Sequence, residues 1–308
     1  MAQSHPLLPA EFVASREANE HRWTPDESLS YTRWLATAHY ENFHVVSLLL
    51  PKRLHQDFYN VYSYCRWADD LADEFPDKNQ SLRLLAWWRQ MLDEAYQGQA
   101  SHPVFIALSG TLLKHQIPKE PFSDLLVAFV QDQTTTRYSD WNAVFDYCRY
   151  SANPVGRLVL YLCGYRDSER QSLSDATCTA LQLSNFWQDV SVDLRKDRIY
   201  IPLEVMRRHG YTEAQLFSGD EGAAFQAVMR DVVECAREQF QQGLPLIGMV
   251  DRRLSIDLEL FSRGGLRVLE KIEKQHYRVL HRRPVVGKFE RAGILASTLA
   301  HAFVRRSA

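Results

Sequence analysis

An all-α fold follows from three features of the sequence. Apolar residues recur at steps of three and four along most of the 308 residues, the spacing of one helix face. Runs that alternate apolar and polar residues, as a half-buried strand does, are nearly absent. Prolines and glycines fall mainly between the periodic segments, where they end helices. Together these predict a single all-α domain over 26–308, its helices packed around one cavity. An irregular arm is expected over 1–25, which holds Pro6, Pro9 and Pro25.

The elements follow in order. Asp26 is placed to cap a helix that runs to about Leu50, where Pro51 stops or kinks it. The next helix covers about 52–74 and ends before Pro76. Helices at 79–97, 103–116 and 119–133 are separated by Gly98, Pro103, Pro118 and Pro121. Ser139-Asp140 caps a long segment, 140–163, interrupted near Pro154-Val155-Gly156. A helix over 168–194 leads into a short extended exit, Arg198-Ile-Tyr-Ile-Pro202. Helices at 202–209, 221–242, 252–282 and 287–305 complete the chain, with no repeat, low-complexity segment or flexible linker.

Composition narrows the function. The chain is 45% hydrophobic and 24% charged, as soluble globular proteins are. A net charge of −2, with no basic stripe interleaved with aromatics, argues against a nucleic-acid partner. Cys65, Cys148, Cys163, Cys178 and Cys235 are odd in number and lack CxxC spacing, so they read as buried thiols in a reducing compartment. The first 25 residues show no signal-peptide pattern, and apolar runs such as Val45–Leu50 are too short to span a bilayer. The expected location is the cytoplasm. The basic pairs Arg252-Arg253, Arg282-Arg283 and Arg305-Arg306 suit either peripheral contact with an anionic membrane or, more plainly, solvated helix faces.

Two acidic faces carry the chemistry. On the 52–74 helix, Tyr62, Arg66, Asp69 and Asp73 follow at steps of four, three and four, which stacks them on one side. Asp69, Asp70, Asp73 and Glu74 crowd like charges into one turn and a half, a cost that a cation relieves. A lone face of this kind reads as a solvated helix end. A second one, Gln182, Asn185, Asp189 and Asp193, lies on the 168–194 helix inside another apolar run. Hard oxygen donors of this kind suit Mg2+, which is held by one or two carboxylates together with substrate phosphate oxygens. Two such faces opposed across a bundle could grip a diphosphate and help it leave, generating a carbocation. Aromatic faces stabilise such a cation; candidates are Phe43, Tyr62, Tyr138, Phe186, Trp187 and Tyr277, although most aromatics at helical spacing are plain core. The pairs Glu41-x-x-His44 and Glu273-x-x-His276 also match the Glu-x-x-His of di-iron bundles, but the accompanying Asp, Asn and Gln suit magnesium better.

These residues resemble the squalene/phytoene synthase family of head-to-head prenyl synthases over about 30–285. The first motif is Tyr62-x-x-x-Arg66-x-x-Asp69-Asp70-x-x-Asp73; the second is Gln182-x-x-Asn185-x-x-x-Asp189-x-x-x-Asp193, followed by Arg198-x-Tyr200-x-Pro202. Gln133-Thr-Thr-Thr-Arg137-Tyr138 and the stretch from Tyr147-Cys148 to Pro154-Val155-Gly156 also resemble the family. The resemblance implies an isoprenoid synthase-type helical bundle, a Mg2+ cluster and an isoprenoid diphosphate substrate. It implies metal ligands at Asp69, Asp70, Asp73, Asn185, Asp189 and Asp193, with a diphosphate grip from Arg66, Arg198 and Tyr200. Substrate contacts are further expected at His39, Asn42, Phe43, Tyr62, Gln182, Gln188 and Tyr277, with Tyr138 near the chemistry.

Within the family, His39-Tyr-Glu-Asn-Phe43 and Asn185-Phe-Trp-Gln-Asp189 look most like the bacterial hydroxysqualene synthases of hopanoid biosynthesis, which ionise presqualene diphosphate and let water capture the cation. Many relatives carry Lys or Arg where this chain has Glu41, and Arg where it has Gln188. A site less basic at both positions suits one bound polyanion better than two. Glu41 is the candidate for orienting the capturing water or taking its proton; the alternatives are that it pairs with an Arg such as Arg66, or that the released diphosphate is the base. Squalene or phytoene synthase activity is the rival on the same fold, and a non-catalytic member the rival from another class. Functional coupling to other squalene-pathway enzymes is the partner relation the resemblance suggests.

Overall fold

The computed structural model describes residues 6–38 and 51–304, with side chains to Ala302. All of its regular elements among those residues are helices; the single ladder contact is an isolated bridge between Arg137 and Ile199. The all-α expectation holds. The chain divides into two compact units, one of Met1–Thr134 with Arg157–Arg166, the other of Thr135–Gly156 with Asp167–Ala308.

In the first unit, the 1–25 arm differs from expectation by carrying two short helices, α1 (Pro9–Ala14) and α2 (Arg16–Glu20). Pro9 opens α1 where its missing N–H costs nothing, Glu11 accepts the Leu8 N–H at 2.9 Å, and Phe12 is buried. Helix α3 spans Pro25–Ala38. Its entry differs by two residues from the sequence reading: Thr24 Oγ1 accepts the Glu27 N–H at 3.3 Å, which puts Asp26 inside the first turn. The stretch 39–50 lies outside the described residues.

Helix α4 (His55–Asp73) follows a 3-10 turn and packs against α3 and against α5 (Lys78–Tyr96), α6 (Pro103–His115) and α7 (Glu120–Asp132). Its inward side contributes Tyr64, Trp67, Ala68 and Leu71, all fully buried. Trp67 stacks on Trp88 with centroids 4.9 Å apart and planes 6° apart. His102 caps α6 beside them, its Nδ1 accepting the Val104 N–H at 3.3 Å. Burial lowers the His102 pKa to about 3, so the ring stays neutral and keeps the lone pair the cap needs. A polar chain pins α4 to its neighbours: Asn60 bonds Thr32 (2.7 Å) and Thr111 (3.0 Å), and Asp57 takes Lys114 at 2.6 Å.

In the second unit, α8 (Trp141–Ser151) is capped by Asp140, as expected. It breaks at Ala152 before α9 (Asn153–Cys163), most of which belongs to the first unit, because Pro154 has no N–H to carry the helical hydrogen-bond ladder across the join. The long α10 (Ser168–Asp193) packs against α8, α13 (Ala223–Gly243) and α14 (Arg252–Lys274). Close approach needs glycine here: a Cβ on Gly243 would stand 2.2 Å from Thr177 Oγ1, and one on Gly156 2.3 Å from Ser174 Oγ. Two short helices, α11 (Leu203–Arg208) and α12 (Glu213–Phe217), lie between α10 and α13. The expected 252–282 helix ends at Lys274, since His276 and Tyr277 adopt left-handed backbone with φ of 53° and 61°. No glycine or proline marks that stop before Pro284. Helix α15 (Lys288–Val304) returns along α14.

Candidate active site

The first acidic face lies on α4. Asp69 and Asp73 are exposed near its C-terminal end, while Tyr62, about two turns before Asp69, is half-buried. Burial raises the Tyr62 phenol above its usual range, which keeps it protonated and able to donate. Asp70 departs from this face. One residue on from Asp69, it turns toward the core, is 2% exposed, and its Oδ1 sits 2.5 Å from Arg66 Nη2. Burial pushes the Asp70 carboxyl up to about 7 while Arg66 pulls the other way. Arg66 also lies 3.8 Å from both Asp69 and Glu74. Its Nε is buried with no acceptor among the described residues. The arrangement is a guanidinium held in place by a buried carboxylate, beside two exposed carboxylates.

The second face lies on the last turns of α10. Gln182 is half-buried, Asn185 exposed, and Asp189 and Asp193 partly exposed. Asp189 and the adjoining Gln188 are tied to the segment after α14. Arg283 clamps Asp189 through two hydrogen bonds, one of 3.1 Å to Oδ2, and Gln188 Nε2 donates to the Pro284 carbonyl at 2.6 Å. The Arg198 N–H closes the helix end on the Asp193 carbonyl at 3.0 Å. Asp193, Arg198 and Tyr200 line one cavity of about 10 Å³, room for about one water and far too small for a prenyl chain.

Behind this face sits an aromatic wall. Tyr200 stacks on Phe186 with centroids 3.7 Å apart, and Tyr138 stacks on Tyr200 at 5.5 Å. Tyr147 fills the angle between Tyr138 and Phe186. The exit strand is fixed by Ile199 N–H on the Thr136 carbonyl at 2.9 Å. Arg137 pins the turn before it, bonding Asp197 at 2.7 Å and Glu213 at 2.8 Å. Tyr277, in the same unit, lies under the Arg230 guanidinium at 5.3 Å.

His39, Glu41, Asn42 and Phe43 lie outside the described residues, as does the pair Glu41 and His44. The other di-iron candidate fails: Glu273 is spent on Arg237 at 2.6 Å, and His276 has left the helix with positive φ. Arg283 was missed as a site residue, because only the fold brings it to Asp189 across 94 positions.

Each face by itself offers donors that fit magnesium: Asp69 and Asp73 on α4, and Asn185, Asp189 and Asp193 on α10, are carboxylate and amide groups, partly or fully exposed, with no thiolate or imidazole among them. Among the described residues no three His, Cys, Asp or Glu side chains converge as a ready-made cage.

The squalene/phytoene synthase family profile matches residues 36–290. The hydroxysqualene synthase of Zymomonas mobilis is 34% identical over 245 residues, 76% of this chain and 79% of that protein. The phytoene synthase of Thermus thermophilus is 30% identical, over 84% of this chain and 88% of its own. Among solved structures, the squalene synthase HpnC from Alicyclobacillus acidocaldarius superposes with a TM-score of 0.80 at 39% identity, covering 82% of this chain and 96% of that one. A dehydrosqualene synthase at 23% identity shares the fold, with a TM-score of 0.80.

Proposed function

The chain belongs to the squalene/phytoene synthase family, and on that premise we propose that it is a hydroxysqualene synthase, taking presqualene diphosphate and water to hydroxysqualene and diphosphate. The observation that carries an ionising diphosphate chemistry is the make-up of the two acidic faces, each setting carboxylate beside a guanidinium: Asp69 and Arg66 on α4, Asp189 and Arg283 at the end of α10. Asp69, Asp73, Asn185, Asp189 and Asp193 are the residues to hold Mg2+; Asp70, expected from the sequence as a further ligand, is instead buried against Arg66 and positions that guanidinium. When bound, the metal supplies positive charge that stabilises the departing diphosphate.

The chain's own residues do the rest. Arg66, Arg198 and Tyr200 bind diphosphate oxygens and orient the breaking C–O bond. Tyr138, Phe186 and Tyr200 present ring faces that favour positive charge and exclude bulk water. Water adds to the rearranged cation and loses a proton to Glu41, which completes the balance. Substrate contacts are assigned to His39, Asn42, Phe43, Tyr62, Gln182, Gln188 and Tyr277. The choice of presqualene diphosphate is supported by Glu41 and Gln188, neither of which adds positive charge for a second polyanion. Head-to-head condensation of two prenyl diphosphates is the second reading, favoured by the phytoene synthase relative at 30% identity.

Incubation with Mg2+ in oxygen-18 water separates them. Presqualene diphosphate should give a labelled C30 alcohol without NADPH, and farnesyl diphosphate alone should give little product. Efficient coupling of two prenyl diphosphates, or an unlabelled hydrocarbon, would refute the assignment.

A further inference from the structure

Helix α15 is turned inside out. Three of its polar residues face the protein: Glu290 pairs with Arg267 at 2.8 Å and Lys271 at 2.7 Å, Ser297 accepts from Arg263 at 3.0 Å, and Thr298 is fully buried. His301 meets Glu259 at 3.3 Å on the same side. Its outward face carries an apolar stripe. Phe289 is 95% exposed, Leu295 and Leu299 are each 43% exposed, and Ala292, Ala296 and Ala300 are exposed between them. Val285, just before the helix, adds another exposed apolar side chain. A helix on the surface of a water-soluble domain shows the opposite arrangement, and exposed apolar residues gathered in one stripe mark a contact surface.

Charge selects what makes that contact. Residues 278–308 contain seven Lys and Arg and one acid, Glu290, whereas the whole chain is net −2. Lys288 and Arg291 are exposed beside the apolar stripe. A second copy of this face would bring the same basic segment against itself, which is repulsive. An apolar stripe flanked by basic residues is the composition of a helix that lies in the interface of an anionic membrane. We propose that α15 is an interfacial anchor, its Phe289–Leu299 face inserted among acyl chains and Lys288 and Arg291 at the anionic headgroups. The anchor is independent of which diphosphate the enzyme takes, and it would place a catalyst of apolar products at the phase into which they partition.

The test is co-flotation of the full-length protein with vesicles of phosphatidylcholine alone and of phosphatidylcholine mixed with phosphatidylglycerol. Wild type should float with the mixed vesicles, less with the neutral ones, and less again at high salt. A Phe289→Asp/Leu299→Asp variant should lose at least about tenfold in vesicle partition, with an unchanged thermal midpoint and unchanged turnover of detergent-dispersed substrate. Lys288→Glu/Arg291→Glu should lose the preference for anionic vesicles. Failure of wild type to float with mixed vesicles, or equal flotation of the Phe289 variant, would overturn the proposal. So would a wild-type dimer that the Phe289 variant converts to monomer without any flotation by either protein.

Discussion

Arg283 clamps the carboxylate of Asp189, reaching from the segment after α14 to the last turns of α10. The pair gives the second acidic face a built-in counter-charge. A carboxylate so engaged is less available to a cation than a solvated one, while the guanidinium is already positioned for an anion.

Arg283→Gln should therefore move two quantities in opposite directions. Half-saturating Mg2+ should fall, because Asp189 is released. The kcat/KM for the diphosphate substrate should drop roughly 10- to 100-fold, as expected for loss of a charged hydrogen bond. Magnesium titration with steady-state kinetics checks both. Unchanged values would show that the clamp is only a surface ion pair.

Asp69→Asn and Asp189→Asn each remove one charged oxygen donor from an exposed or half-exposed position. Turnover should fall by several orders of magnitude and the helical circular dichroism should not change. EDTA should silence the wild type, with recovery on adding Mg2+. Near-wild-type rates in either variant would contradict the metal assignment.

Asp257 supplies a pH signature of stability. It is 2% exposed, both of its carboxylate oxygens lack a hydrogen-bond partner among the described residues, and burial pushes its pKa up to about 8. A folded-state pKa above the ordinary value of 3.8 means the folded form holds the proton more tightly. Its contribution thus declines as pH rises from about 4 towards 8. Asp257→Asn should stabilise the protein by roughly 2–4 kcal/mol at pH 8 and by little at pH 4. Urea unfolding at the two pH values measures the difference.

Gly243→Ala and Gly110→Ala form a matched pair. The new methyl at 243 would meet Thr177 Oγ1 at 2.2 Å and its backbone nitrogen at 2.9 Å, whereas nothing lies within 4 Å at 110. The first should cost roughly 1–3 kcal/mol by overpacking. The second should gain roughly 0.5–1 kcal/mol by favouring helix. Denaturant midpoints decide.

The sequence patterns that proved readable are local ones. Helical spacing and Pro/Gly punctuation located α5, α6, α7 and α10 to within a residue or two, and the DxxxD steps put Asp69 with Asp73, and Asp189 with Asp193, on shared faces. Relations set by packing left no such trace. Asp70 looked like a member of its acidic face, yet one residue of helical rotation buries it against Arg66. The stop at Lys274 depends on two left-handed residues, His276 and Tyr277, that no turn-forming side chain announces. Arg283 and Asp189 are neighbours only in the folded chain. The basic pairs of the C-terminal third read as solvated faces, because polar residues are expected outside; which side of α15 faces α14 is not encoded in its periodicity.

The indole stack of the first unit also shapes what spectroscopy will see. Of the seven tryptophans, Trp23, Trp34, Trp67, Trp87 and Trp88 belong to that unit and only Trp141 and Trp187 to the other. With Trp67 and Trp88 stacked nearly parallel at 4.9 Å, their transitions couple, and intrinsic emission becomes chiefly a local reporter of the α4–α5 core. Backbone ellipticity samples the helices of both units alike. Denaturation followed by the two signals therefore weighs the halves of the chain differently, and any gap between the midpoints measures how far their unfolding is coupled.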